Sequence, residues 1–399
     1  MRLACPVCNA ARSRLVDARD AVPILMHNVF GSAEAARACK TGQLAIRHCE
    51  ACGFAWNAAF DPDKIVYGPG YDNAQGYSPQ FQAHLDQRID AILAEFPDGR
   101  PINVIEVGAG QGDFLIRLAA RAGGRILRAV GFDPAWKGSD GERVNNGAGA
   151  EIRMYRRYFD GEAATITASV EPDLVLSRHV IEHISEPMDF LRAIRAGIVG
   201  RPATKLILET PDIDWILRHG AFEDLFYEHC SIFSPHSMAV ALRSAGYGNV
   251  TVRTVFGDQY LWATARFEAD SLAAQEIAPV ESSTFSSDEL ADEWRERIDR
   301  WRMEGGTVAI WGAGAKGMTF AQIVDPGTER IAAIIDMNPN KQGKFIGVTG
   351  HQIVAPDDLA ALAPSHIVVM NPNYAAEIRA MLAEKEISAS LLTLHEDLT

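Results

Sequence analysis

The stretch "VIEVGAGQGDFLIRLA", Val104 to Ala119, decides how this chain reads. An apolar run ends on a carboxylate, Glu106, and passes into three alternating glycines, Gly108, Gly110 and Gly112. A stretch with Phe114, Leu115 and Leu118 on one helical face follows. Glycines between a strand and a helix let the backbone turn sharply and approach a ligand closely, because no Cβ stands in the way. About twenty residues further on, "RAVGFDPAW" ends a second apolar run at Asp133, where a carboxylate can accept both hydroxyls of an adenosine ribose. A dinucleotide fold could use the same layout.

Outward from this stretch, "INVIEVG", "RAVGFD", "PDLVLSRHV" and "TKLILETP" read as strands of a largely parallel sheet, with amphipathic stretches between them. This unit spans residues 81–265. The polar, Ser-rich "EADSLAAQEIAPVESSTFSSDEL" after it reads as a linker ending in a helix cap at Ser287-Asp288-Glu289. Residues 266–399 then carry a second α/β unit. Its "VAIWGAGAKG" gives Gly312, Gly314 and Gly317 after a strand, and Asp336 ends the next one. Taken alone this is a dinucleotide fingerprint, so an NAD-dependent oxidoreductase stands as an alternative. Lys316 and Lys341 could meet a diphosphate or lie solvated at the surface.

Residues 1–80 are of another kind. "CPVC" and "CEAC" set out Cys5, Cys8, Cys49 and Cys52, and two intervening residues let both thiolates of a pair reach one tetrahedral ion. Four thiolates leave no open position for substrate, so the expectation is structural Zn2+ in a small lobe. Cys39 is expected to be an ordinary small buried residue. No export signal is read at the N-terminus, which favours metal over disulfides and a cytoplasmic location. The formal charge of −14 on 399 residues speaks against general nucleic-acid binding, and no apolar run is long enough for a membrane span.

Two further segments carry chemistry. "SRHVIEHI" places His179 and His183 four apart with Glu182 between them. Its order differs from the metalloprotease arrangement, in which Glu follows the first His directly, and two satisfied histidines at a strand end are the plain alternative. "EDLFYEHCSIF", Glu223 to Phe233, sets Tyr227, Glu228, His229 and Cys230 side by side, as a catalytic loop or as a hydrogen-bonded turn.

The acidic start E-x-G-x-G-x-G resembles the first motif of class I S-adenosylmethionine (SAM) methyltransferases, whose loop faces methionine and adenosine with no pyrophosphate to hold. The whole order is similar to one family. An N-terminal C-x-x-C…C-x-x-C lobe, "EVGAGQG", "HVIEHI", "FYEHCSIFS" and a C-terminal "VAIWGAGAKG" together resemble the SAM-dependent C-methyltransferases of nucleotide-linked 4-keto deoxysugars, over essentially the full length.

The resemblance implies a class I methyltransferase Rossmann-like core between a zinc-binding lobe and a C-terminal Rossmann-like domain that helps form the nucleotide-sugar site. Of the family's Tyr-x-Glu-His motif, Glu228 and His229 match the last two positions. Phe226 stands where relatives have Tyr, and Tyr227 lies between. His183 best matches a family histidine, and the segment holding His179 closes the cofactor pocket. In "YGPGYDNAQGYSPQF", Tyr71, Asn73 and Tyr77 are expected to contact SAM or sugar. Glu106, Gly108, Gly110, Gly112 and Asp133 complete the cofactor set.

The reaction expected is methyl transfer to C-3 of the sugar through an enolate. His229 is the expected base, His183 or Tyr227 would steady the oxyanion, and Glu228 would bind a sugar hydroxyl or orient an imidazole. Transfer to oxygen or nitrogen, and a zinc-bearing scaffold with relic pockets, are the other readings. A monomer or small homo-oligomer is expected.

Overall fold

A computed structural model describes residues 2–66, 76–145, 147, 149–267 and 285–395. Tyr71 and Asn73, expected above to contact cofactor or sugar, lie outside the described residues, as do residues 268–284 of the expected linker.

The central unit is built on an eight-stranded sheet. Ile102–Val107, Ile126–Phe132 and Glu151–Tyr155 run parallel to one side, with Leu174–Arg178 and Lys205–Pro211 parallel on the other. Tyr260–Phe267 and Tyr247–Val255 extend the second side antiparallel, and Glu142–Val144 closes the first. The four runs read as strands from sequence are all here, buried along nearly their whole length as a sheet covered on both faces requires. The chain order reverses between Ile102–Val107 and Leu174–Arg178. In open α/β sheets ligands bind at the carboxyl ends of strands at such a switch point.

Residues 13–57 form strands Ser13–Pro23, Thr41–Cys49 and Ala55–Asn57. Their sheet takes its fourth strand, Ser231–Ile232, from the central unit, with Ser231 opposite Trp56 and Ile232 opposite Ala55. The stretch beginning at Glu223 is thereby fastened to the cysteine-bearing lobe at its far end. The ring of Tyr227 is fully buried and packs so tightly on Gly42 that an added Cβ there would lie 2.3 Å from Tyr227 Cε2.

The third unit has a five-stranded, all-parallel sheet, ordered Ile353–Val354, Ala333–Ile335, Val308–Trp311, His366–Val369, Ser390–Thr393. The helix before it, Ser287–Met303, starts one residue earlier than the sequence reading. Ser286 is the cap, accepting the Glu289 N–H at 3.3 Å, because the acceptor must stand outside the first turn. The lobe also joins this unit, through Val29–Phe30 paired with Phe345–Ile346. Helix Pro79–Ala94, capped by Ser78, turns Phe81, His84, Ile89 and Ile92 inward onto the central unit. Ser78 Oγ also donates to Glu377 of the third unit at 2.9 Å. Among the described residues, no helix is long and apolar enough to cross a membrane.

Candidate active site

Three glycines of the first loop hold left-handed angles, with φ of 77° at Gly108, 56° at Gly110 and 80° at Gly112. An L side chain is strained there. Space adds a second constraint at Gly108, where a Cβ would lie 2.0 Å from Val180 Cγ2, whereas a Cβ on Gly110 would meet nothing within 4 Å. The loop is therefore tight against its neighbour at the first glycine and open at the second. Asp133 braces it: one carboxylate oxygen accepts the Gly110 N–H at 2.8 Å, the other the Ala135 N–H at 2.7 Å. Burial raises the Asp133 carboxyl, and these two bonds oppose the rise.

Glu106 is the penultimate residue of strand Ile102–Val107. It is buried, its Oε2 has no hydrogen-bond partner among the described residues, and Arg178 Nε stands 3.8 Å from Oε1. Burial pushes its carboxyl up to about 7 against the pull of Arg178. A buried carboxyl with a free oxygen beside an open glycine turn fits a ligand that brings a cation and hydroxyls.

Sequence reasoning missed the groups behind this pocket. Arg178 lies over the Phe114 ring and reaches Glu209 Oε2 at 3.4 Å. Glu209, fully buried at the end of Lys205–Pro211, bonds His84 Nε2 at 2.6 Å. Burial pushes Glu209 up, but the His84 bond and the charges of His179 and Arg178 prevail and hold it at about 2. A charged residue closing an otherwise apolar strand, "LILETP", was the available signal.

His179 sits at φ 53°, with Nδ1 3.4 Å from Glu182 Oε1 and its ring on Tyr260. The next residues form a short 3-10 turn, Ile181–His183. The Val180 carbonyl accepts the His183 N–H at 2.9 Å, so the residue that presses on Gly108 also anchors His183. The rings of His183 and His229 meet edge to face, centroids 4.9 Å apart. Glu182, His183 and His229 each bring one side-chain oxygen or nitrogen within 4.8 Å of the others.

Phe226 packs on His229 at 4.0 Å between centroids, so this position touches the imidazole and offers it no hydroxyl. Burial, and then the nearby His183, His179, His27 and Lys316, hold His229 well below the ordinary histidine range.

The other residues of this loop point elsewhere. Tyr227 is turned into the lobe, where its hydroxyl accepts the Asp61 N–H at 2.9 Å and its ring lies against Phe60. Glu228 is buried and accepts the Met26 N–H at 2.5 Å, tying the loop to the lobe. Cys230 is buried, its thiol pushed up to about 12 by burial, and its carbonyl accepts the Asn57 N–H. Tyr77 is exposed, just ahead of helix Pro79–Ala94.

In the lobe, Cys5, Cys8, Cys49 and Cys52 converge, with Sγ–Sγ distances of 3.7 Å for Cys5–Cys52 and 3.6 Å for Cys8–Cys49. Thiolates at the corners of a tetrahedron around an ion, each about 2.3 Å from it, stand about 3.8 Å apart. Both of these pairs fit that figure, and all four sulfurs lie within 4.8 Å of one another.

A family model described as a methyltransferase domain matches residues 81–252, and one described as a C-methyltransferase C-terminal domain matches residues 269–390. C-methyltransferase NovU of Streptomyces niveus is 27% identical over 301 residues, covering 69% of this chain and 70% of that protein. Among solved structures, an O-methyltransferase family protein of Burkholderia thailandensis is 14% identical, over 47% of this chain and 56% of its own, at a TM-score of 0.36. Human N-acetylserotonin methyltransferase is 16% identical, over 47% and 54%, at 0.35. The chain thus spans about half the length of those two structures.

Proposed function

We propose a substrate class and a catalytic base for a chain that belongs to the SAM-dependent C-methyltransferases. The reaction is methylation at C-3 of a nucleotide-linked 4-keto deoxysugar. The observation that carries it is the pair of imidazoles, His183 and His229, gathered beside the glycine loop at the switch point of the central sheet.

A ketone at C-4 acidifies the C-3 proton, since the carbanion delocalises into an enolate. A base for that proton must be neutral at working pH, and the burial that lowers His229 keeps it so. His229 takes the proton; the C–H electron pair moves into the enolate across C-3, C-4 and the ketone oxygen. His183 donates a hydrogen bond to that oxygen as charge develops there. When bound, SAM would supply the electrophilic methyl group: the enolate carbon C-3 forms the new carbon–carbon bond as the sulfur–methyl bond breaks, and S-adenosylhomocysteine is left. Gly108, Gly110 and Gly112 bring backbone to this ligand, Asp133 meets its ribose, Glu106 offers its free oxygen to a cation, and His179 and Tyr77 border the pocket. Glu228 joins the lobe to the loop, and Tyr227 receives no chemical role because its hydroxyl is engaged by Asp61.

Cys5, Cys8, Cys49 and Cys52 would hold Zn2+ as a closed structural site. Its role is mechanical: the lobe it fastens supplies Met26, Asp61 and the strand partner that shape the loop around His229.

The test is His229→Ala with a 4-keto nucleotide sugar in D2O. General-base catalysis supplies about 10²–10⁴-fold, so C-3 deuterium washout and turnover should both fall by that order. Near-full washout and turnover would remove His229 as the base.

A further inference from the structure

Taking the C-3 proton turns His229 into an imidazolium in a place that disfavours one, because burial first, and then His183, His179, His27 and Lys316, raise the cost of positive charge there. The nearby anion is Glu182. It is fully buried, yet only its Oε2 is engaged, accepting the Thr210 hydroxyl at 3.0 Å. Oε1 makes no hydrogen bond among the described residues, and it lies 3.4 Å from His179 Nδ1. Burying a carboxylate with a free oxygen is unfavourable unless a charge arrives to meet it. A nitrogen of His183 and a nitrogen of His229 both lie within 4.8 Å of this carboxylate.

We propose that Glu182 is a positioning residue that orients the His183–His229 pair and offsets the positive charge created when His229 accepts the substrate proton. It touches no substrate and acts through the two imidazoles. The inference rests on His229 being the base.

The surroundings define what a titration would read. Glu182 faces His179 and His183 on its own segment, Thr210 on strand Lys205–Pro211, and Cys230 beside His229 on the loop. Tyr260 feels both Glu182 and Glu209 from the antiparallel strand. His27 of the lobe and Lys316 of the third unit act on His229. Among these, Glu182 and Glu209 supply negative charge, and Glu209 is already engaged by His84 and Arg178.

Glu182→Gln keeps an acceptor for Thr210 and removes the charge. It should lower kcat about tenfold or more and move the acid limb of the kcat–pH profile down by about half a unit or more, with S-adenosylhomocysteine affinity unchanged within about twofold. Thr210→Val removes the hydrogen bond and keeps the charge, so its acid limb should match the parent enzyme. If Glu182→Gln keeps the parental kcat and limb, or if Thr210→Val reproduces the Glu182→Gln profile, the proposal is overturned. Should the amide variant fail to fold, Glu182→Asp reads the same property with the charge drawn back. An intermediate kcat supports the proposal, and a parental kcat and limb overturn it.

Deuterium washout separates this inference from the one beneath it. Washout that survives His229→Ala removes the base and Glu182's role with it. Washout abolished in His229→Ala but parental in Glu182→Gln removes Glu182 alone.

Discussion

The two glycine-rich loops of this chain share a backbone and differ in what fills them. In each, the first glycine N–H bonds a carbonyl of the next strand at 2.8 Å: Gly108 to Phe132, Gly312 to Ile335. In each, an aspartate 23 residues beyond a loop amide accepts that N–H, Asp133 from Gly110 and Asp336 from Ala313. The other oxygen of each aspartate accepts the second amide after it, from Ala135 and from Asn338.

There the likeness ends. Two residues before the first glycine, the first strand carries Glu106 with a free oxygen, and the second carries the buried, apolar Ile310. The first loop turns through three left-handed glycines and is open at Gly110. In the second only Gly312 has positive φ, and buried Lys341 donates to the Ala313 carbonyl at 3.2 Å. Lys316, read from sequence as a diphosphate or surface lysine, pairs instead with Asp224 at 2.5 Å. A strand–glycine–helix backbone is thus a general phosphate- or adenosine-ready frame, and the side chains placed on it decide whether it stays open.

Glycine substitutions in the two loops sharpen this contrast. The largest effect is expected at Gly108→Ala, which meets both a positive φ and Val180; S-adenosylhomocysteine affinity should fall about a hundredfold or more by calorimetric titration. Gly314→Ala, with φ −91° and its nearest neighbour 4.0 Å away, should leave that affinity unchanged. Equal losses would erase the distinction.

Next is metal removal. A chelator, or Cys8→Ser, loosens the lobe that shapes the loop from Phe226 to Cys230. Methyl transfer should fall about tenfold or more while S-adenosylhomocysteine still binds, because the glycine loop belongs to another unit. Loss of both together would contradict the division of labour.

The smallest effect is a pH dependence. With Glu106 raised to about 7 in the ligand-free protein, its carboxyl is largely protonated at pH 6 and ionised at pH 8. A cationic ligand should therefore bind about tenfold more tightly at pH 8 than at pH 6, and Glu106→Gln should flatten that slope. The sign for stability is opposite. A buried acid raised in the folded state favours the protonated form, so its contribution is present below the unfolded value, about 4.3, and is lost as pH rises through 7. Thermal melts of the ligand-free protein across that window should show the loss, and Glu106→Gln should not.

Local pattern carried much of this in the sequence. Apolar runs ending on Glu106 and Asp133, the glycines between, and the paired cysteines all depend on neighbours a few residues apart. The loop at Tyr227 did not read through. Adjacent residues on an irregular segment suggested one shared site, but Tyr227 turns to Asp61, Glu228 to Met26, and His229 to His183. The strand that forces this divergence, Ser231–Ile232, is two residues long and has no periodicity to detect. His84 and Glu209 were invisible for another reason: their bond joins residues 125 apart, and nothing in either local stretch names the other.

Carbon methylation at the site beside the first glycine loop distinguishes this enzyme from one that methylates oxygen or nitrogen. The direct measurement is NMR of the product formed from SAM carrying a ¹³C methyl group and a 4-keto nucleotide sugar. The labelled methyl should be bonded to a fully substituted C-3. A label on oxygen or nitrogen, or an unmethylated sugar whose ketone is reduced only when a nicotinamide cofactor is supplied, would contradict it.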